Sequence, residues 1–475
     1  MAMQQKLNSI SRRSFIAGTV GSGLVMSVGV VLPGCSREEV ATEMAASGAS
    51  RSFSPSVWFE IDSSGATLVN IAKAEMGQHV GTALARIVAD ELGADWSKVS
   101  IKYVDSDPKW GYMVTGGSWS VFTSFTMLSQ AAAAGRSVLI DAGAKLLGAD
   151  AGAAKAEGGM VIAGDRKISF AEIVAKGDIN RTFSEEELAA MPVKTADQRR
   201  LIGKPAKALD VDAKTDGTAV YGLDTELPGM VYAHPMIPPT RYGSTIRSID
   251  DTAAKDIPGY LQTLAVNDPS DIIQGWALVI AENFPSAMKA AQAVKIDWDA
   301  GPTADVSEAD ILAEGAKLVA DPASGTLFVN EGDVTAARAA AAKTHGATYR
   351  TSTALHFTLE PQNALVEYVD GVFHIHAGNQ WQSLIIPYLA NALGVAEGNI
   401  VVHQYYLGGG FGRRLFGDQM IPAAIAAREL GRPVKLVFER ADDSRFECVR
   451  SAPVCKFDAS FDADGALTGL EHAAA

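Results

Sequence analysis

The run Leu407-Gly408-Gly409-Gly410-Phe411-Gly412-Arg413-Arg414 gathers four glycines and two arginines between an apolar strand-like stretch, 400–407, and a helix expected to open near Asp418. Glycine has no Cβ, so backbone can approach a ligand closely, and successive N–H groups can form an anion-binding nest. Arginine adds forked donors suited to phosphate. The chemistry invited is retention of a large, polar, anionic cofactor, mainly by backbone. A sharp turn with a solvated basic pair is the alternative. No Gly-Lys-Ser/Thr follows, which excludes a Walker loop, and Arg413 stands where a dinucleotide fingerprint needs its last glycine.

A second glycine turn, Thr115-Gly116-Gly117-Ser118-Trp119-Ser120, precedes a long helical pattern over 121–147. Amides at a helix N-terminus favour an anion; simple capping by Thr115 or Ser118 is the competing reading. His374 and His376 alternate on one strand face and could hold zinc only with further ligands, so paired histidines are preferred. Asp442 and Asp443 beside Arg440 read as a capped turn with a salt bridge rather than an acid pair. No G-x-S-x-G elbow supports a hydrolase.

These turns need elements to hold them. Alternation over 57–61 and 67–72 around Ser63-Ser64-Gly65 predicts a hairpin, followed by a helix over 81–92. A polar connector spans 198–216. The stretch 218–302 reads as a compact α/β unit, with strands near 230–233, 260–266, 276–281 and 295–298 and a helix over 285–294. An alanine-rich helical bridge, 304–341, leads to a third unit that carries the glycine loop. Asp462-Ala463-Asp464-Gly465 is a hairpin turn whose return strand is expected only to begin before the sequence stops.

The chain has 475 residues and a formal net charge of −14, which argues against nucleic acid as a partner. It is too long for one core. Its three cysteines provide no C-x-x-C pair, so it holds no iron–sulfur cluster and no structural zinc of that type. Cys448 and Cys455 fit a disulfide or two reduced thiols equally.

Near the start, Ser11-Arg12-Arg13-Ser14-Phe15-Ile16 precedes a weakly apolar, glycine-broken run, 17–32. This is the pattern of a twin-arginine export leader, with a transmembrane anchor as its alternative. Cys35 follows a loose lipobox, so membrane tethering is an open alternative, and 41–56 reads as a tether. The twin-arginine route carries folded proteins, which agrees with a cofactor inserted before export. The expected location is the periplasm.

The Gly408–Arg414 loop, Glu75-Met76-Gly77-Gln78, Tyr221-Gly222-Leu223-Asp224 and Glu360-Pro361 together resemble the large molybdopterin-binding chain of the xanthine dehydrogenase/aldehyde oxidase family. The exported branch typified by the beta subunit of isoquinoline 1-oxidoreductase is the nearest in pattern. The resemblance implies a multidomain α+β and α/β fold in which molybdopterin-binding domains flank an α/β-hammerhead domain. Residues 1–50 would be signal and tether, 51–200 a molybdopterin-binding segment, 206–303 the hammerhead, and 320–475 a further molybdopterin-binding domain, incomplete at its C-terminus.

Carried over by position, Gln380 matches the glutamine beside the apical oxo ligand. Gly409, Gly410, Phe411, Gly412 and Arg413 match the loop that approaches the molybdenum ligands. Gly77 and Gln78 match a segment at the pterin side, although His79 stands where a glycine is usual. Gly117, Ser118 and Ser120 match a loop at the cofactor's phosphate region. No protein atom would ligate the metal.

The implied cofactor is molybdenum–molybdopterin, with the cytosine dinucleotide form as one alternative. The implied partners are a small [2Fe-2S] subunit carrying all iron–sulfur clusters and, as a further candidate, a cytochrome c subunit. Leu415 lies where purine oxidisers place a glutamate, so the expected substrate is an aldehyde or N-heteroaromatic. The general-base glutamate of a Gly-Val-Gly-Glu segment does not occur in these residues. Without a positioned base, attack loses roughly 10²–10⁴ in rate. The expectation is therefore a fragment that is inactive alone. A catalytically silent cofactor-binding subunit and a periplasmic binding protein for an organic anion are the alternatives.

Overall fold

The computed structural model describes residues 52–475 apart from Pro322. The leader, Cys35 and most of the tether lie outside the described residues. The chain folds into two compact units, each built from two stretches of sequence: 52–231 with 363–436, and 232–362 with 437–475. Among the described residues, no helix is long and apolar enough to cross a membrane.

In the first unit, the strands Phe53–Ser56, Phe59–Ile61, Thr67–Ile71 and Val99–Tyr103 lie side by side in that order. The predicted hairpin is present, with Phe59 opposite Val69. The last two strands run parallel, and helix Val80–Leu92 makes the crossover between them. Its buried face, with Leu84, Val88 and Leu92, packs into one core with Phe59, Ile61 and Leu139. Leu139 belongs to helix Ser120–Leu147, which carries a run of buried alanines over 131–134 where a larger side chain has no room.

The same unit contains a second sheet portion, in the order Val434–Val437, Asn363–Val369, Val372–His376, Ile400–His403. Its last two strands are parallel, and helix Gln382–Leu393 connects them. Pro387 inside that helix disguises it in the sequence. Ile400–His403 feeds the glycine loop, and helix Met420–Leu430 follows it.

The second unit contains the antiparallel strands Tyr260–Ala265, Ala277–Ala281 and Val231–Met236. Helix Phe284–Ala293 and the pair Thr245–Asp250 with Lys295–Asp299 complete the expected α/β portion. Trp276, fully buried, sits against Phe438 and Phe446 at ring separations of 5.7 and 4.5 Å. The alanine-rich bridge is two helices, Glu308–Ala320 and Val334–Ala340, rather than one. Both pack on a three-stranded sheet, Lys343–Arg350, Val454–Phe461 and Leu467–Ala474.

One correction arises here. The return strand expected only to begin is eight residues long, and it pairs with Val454–Phe461 along its length. Of residues 320–475, the stretch 363–436 lies in the first compact unit and the remainder in the second. Cys448 and Cys455 form no disulfide with each other.

Candidate functional site

Four segments, far apart in sequence, meet around Gln380 in the first unit. The Gln380 backbone N–H donates to the carbonyl of Arg414 at 2.9 Å, and its own carbonyl accepts from Thr115 N at 2.7 Å. Its side chain bridges the same two segments. Nε2 donates to Thr115 O at 2.9 Å, and Oε1 accepts from Gly412 N at 3.1 Å. Asn379 adds a bond from Nδ2 to Arg414 O at 2.9 Å. Both residues are buried. One hydrogen of the Gln380 amide remains beyond the one given to Thr115.

Gly410 shows why this loop is glycine-rich. A Cβ there would stand 2.6 Å from both Gln380 Oε1 and Met76 Sδ. Met76 belongs to the Glu75–Gln78 segment, and Leu407 N bonds the carbonyl of Glu75 at 2.9 Å. Gly409 and Gly412 take positive φ values of 100° and 104°. Phe411 between them is left-handed at 51° and largely exposed, a costly conformation for a bulky residue.

The Thr115–Ser120 turn is likewise left-handed at Gly117 and Ser118, with φ of 60° and 59°. It is not a capping turn. Thr115 Oγ1 accepts from Ala74 N at 2.8 Å, and helix Ser120–Leu147 begins without a side-chain cap. Gly117 and Ser118 are exposed and Ser120 is half-buried at the first turn. Leu415 lies close to Gly116. Trp119, Phe122 and Phe411 are exposed aromatics on these segments.

Three residues behave differently from their sequence reading. Arg413 and Arg414 are buried rather than a solvated pair, and Arg413 Nη1 pairs with Asp418 Oδ1 at 2.9 Å. Arg413 therefore braces the loop from beneath, and its backbone N–H closes the turn onto Gly410 O at 2.8 Å. Gln78 folds back on its own turn. Its Nε2 donates to Ala74 O, and its Oε1 accepts from Met76 N. Gly77 beside it is exposed with φ of 106° and open space where a Cβ would stand.

Sequence reasoning missed what fixes the Glu75–Gln78 segment. The Glu75 carboxylate is buried and accepts from the backbone N–H groups of Gly77, His79 and Val80 at 3.0, 3.1 and 2.9 Å. It thereby satisfies the first open amide of helix Val80–Leu92, that of Val80, and two amides of the turn before it. Lys214 Nζ joins it to Asp210, at 2.7 and 2.9 Å, and the Tyr103 hydroxyl reaches the two acids at 3.2 and 3.0 Å. Burial, then the charges of Glu75 and Asp210, push that hydroxyl well above its usual range. The only available signal was an acid directly before a glycine turn and a helix.

His374 and His376 do acquire neighbours. His374 Nδ1 lies 3.0 Å from His403 Nε2, and His403 Nδ1 lies 2.9 Å from Asp105 Oδ2. His376 stacks on His403 at 4.5 Å and bonds the Tyr405 hydroxyl. Burial, then the nearby His403 and His374, drop His376 to about 4, so it is a neutral ring at ordinary pH. Arg440 pairs with Asp443 at 3.3 Å, as the capped-turn reading expects.

Comparison with known proteins shows which domains carry these segments. Two family models, each described as a molybdopterin cofactor-binding domain, match residues 14–210 and 320–475. The membrane-bound aldehyde dehydrogenase (pyrroloquinoline-quinone) of Gluconacetobacter polyoxogenes is 47 % identical, over 98 % of this chain and 60 % of its own length. The isoquinoline 1-oxidoreductase beta subunit of Brevundimonas diminuta is 27 % identical, over 98 % of this chain and 64 % of its own. The molybdenum-binding subunit of the aldehyde oxidoreductase of Escherichia coli K12 is 28 % identical, over 58 % of this chain and 40 % of its own. The chain thus spans less than two thirds of the length of each.

Proposed function

The chain belongs to the xanthine dehydrogenase/aldehyde oxidase family of molybdopterin-binding proteins, and we propose that it forms the cofactor-holding part of an exported molybdenum hydroxylase. Its substrate would be an aldehyde or an N-heteroaromatic ring carbon, oxidised with water-derived oxygen. Electrons would pass to a separate [2Fe-2S] subunit, and a cytochrome c subunit is the further partner we assign. We place residues 206–303 as the hammerhead domain and the twin-arginine leader at the start. The periplasm is the assigned location.

The convergence of Met76, Thr115, Gln380 and Gly410 carries this reading. A Cβ at Gly410 would displace the ends of the Gln380 and Met76 side chains, and positive φ at Gly409, Phe411 and Gly412 shapes the loop around it. Such a backbone cradle suits a polar, planar, anionic group rather than a metal ion held by side chains. Bound there, molybdenum–molybdopterin supplies oxygen-transfer and two-electron redox chemistry. Gln380 would present its remaining amide hydrogen to an oxygen of that group. Gly409, Gly410 and Phe411 would line it with backbone, and the Gly117–Ser120 turn would face its phosphate. Asp418 and Arg413 hold the loop in place. The pterin's nucleotide we leave between the plain and cytosine dinucleotide forms.

A quinone reading is favoured by one observation, the cofactor in the name of the 47 % identical relative. Elemental and cofactor analysis of the purified native complex separates the two. Molybdenum near one per chain supports the reading; a bound quinone with no molybdenum replaces it. Gly410→Val should abolish molybdenum retention while leaving a folded chain, because the added carbons occupy the place where three segments meet.

A further inference from the structure

A second constellation, in the other unit, has no part in that chemistry. His234, on strand Val231–Met236, is buried with only 5 % of its surface exposed. Its Nδ1 lies 3.0 Å from the carbonyl oxygen of Pro235. Its Nε2 lies 3.0 Å from Glu439 Oε2 and 3.4 Å from Asp442 Oδ2. Glu439 and Asp442 flank the start of helix Arg440–Arg445, where each caps the other's backbone. Phe284 stacks beside the imidazole at 6.4 Å.

Both ring nitrogens therefore face oxygen acceptors. A neutral imidazole carries one N–H, so either tautomer leaves a lone pair pressed against an oxygen lone pair. With the proton on Nδ1 serving Pro235, the bare Nε2 points between two carboxylates. This is the arrangement of a metal-binding histidine, whose other nitrogen is fixed by a backbone carbonyl.

The spacing of 3.0 and 3.4 Å suits a hydrogen bond and a metal ion alike, and the presence of two carboxylates on one ring nitrogen favours the ion. One proton on Nε2 can serve only one carboxylate well, and it leaves two acids facing each other beside a buried ring. A cation with bonds of about 2.1 Å at angles of roughly 90–110° sets its ligand atoms about 3.0–3.4 Å apart. Those are the two separations present here. Glu439 and Asp442 retain some exposure, 39 % and 19 %, so water can complete the coordination.

We propose that His234, Glu439 and Asp442 bind one divalent first-row transition cation of the zinc or manganese class. One imidazole with two carboxylates selects such an ion over calcium or magnesium, which take oxygen ligands alone. The ion ties strand Val231–Met236 to helix Arg440–Arg445 within the second unit, joining two stretches of chain that are distant in sequence. It is distinct from the molybdenum group, which takes no ligand from the protein under the proposed function.

The test uses the full chain after removal of adventitious metal with a chelator. Zinc should bind saturably at one equivalent and raise Tm, and cobalt should give the visible absorption of a low-coordinate site. Glu439→Gln alters a partly exposed residue and keeps the fold. It should weaken zinc binding at least about tenfold and remove the Tm increment. His234→Gln is the harsher variant and should abolish the cobalt spectrum. No saturable binding in the wild-type chain overturns the proposal in favour of a metal-free hydrogen-bonded cluster. So does wild-type affinity in Glu439→Gln, which would place the ion elsewhere. Molybdenum content is measured on the same samples; its loss or retention bears on the cofactor reading alone.

Discussion

The two units each gather two acids and a histidine, yet they answer the same electrostatic problem differently. Around Glu75 and Asp210 the chain provides its own cation, Lys214, with Nζ within 2.9 Å of both acids. Three backbone amides and the Tyr103 hydroxyl absorb the remaining lone pairs of Glu75, so the cluster is complete as folded. Around Glu439 and Asp442 the central group is His234, whose two nitrogens cannot both be satisfied without an added charge. A finished network fixes geometry, and an unfinished one with ligand spacing selects an ion. The first therefore braces the segment that carries Met76, and the second is where metal should matter.

The largest effect expected from this contrast is that of Lys214→Met. It strips the cation from two buried carboxylates, so unfolding in urea should show a loss of about 3–5 kcal/mol. Restoring charge balance with Asp210→Asn in the same chain should recover part of that loss. If Lys214→Met costs under about 1 kcal/mol, the network is not what stabilises the Glu75–Gln78 segment.

Titration gives a smaller and signed effect. Burial would raise the Asp210 carboxyl, but the Lys214 ammonium and Tyr103 outweigh it and hold the group below its ordinary value of 3.8. Burial would lower Lys214, but bonds and charge from Glu75 and Asp210 raise it above 10.5. A depressed acid stabilises above its unfolded pKa and loses that contribution as pH falls through the folded value. A raised lysine stabilises below its unfolded pKa and loses it as pH rises through the folded one. The stability gap between wild type and Lys214→Met should therefore be flat from about pH 4 to 10 and close outside that window. His376 acts separately. Lowered to about 4, it should cost the wild type stability as pH falls from 6.5 toward 4, and His376→Gln should flatten that slope.

In the second unit, Glu439→Gln without metal should change stability by less than about 1 kcal/mol, because the lost group is partly exposed and relieves a repulsion. With zinc present, the same variant should lag the wild type by the full binding increment. The comparison sharpens if Lys214→Met is indifferent to zinc.

What was readable from sequence follows from range. The hairpin at 57–72, the helices at 80–92 and 120–147 and most strands of the α/β portion announce themselves by local periodicity. Strand Thr245–Asp250 did not, since half-exposed residues blur its alternation, and helix Gln382–Leu393 hid behind Pro387. At the site, the four motifs were each visible, but their meeting at Gln380 depends on pairings between residues 265 apart. Burial of Arg413 and Arg414 was hidden too, because charge alone suggests solvent and only Asp418 nearby hints otherwise. The Lys214 bridge crosses 139 residues and leaves no local pattern.

His79 offers the finest test of which interactions hold the Glu75–Gln78 segment. It occupies a position where glycine suits the backbone, with φ of 57° and ψ of 37°. A non-glycine residue there costs roughly 1–2 kcal/mol. Against that strain, its ring lies 3.4 Å from Asp210 and is nearly half exposed, a pairing worth at most about 1 kcal/mol. Glycine would remove the strain, lose the contact and add about 0.5–1 kcal/mol of unfolded-chain entropy. These terms nearly cancel, so His79→Gly should unfold within about 1 kcal/mol of wild type. A much larger loss would mean that His79 is a working member of the Asp210 network, and that Lys214 does not complete the cluster alone.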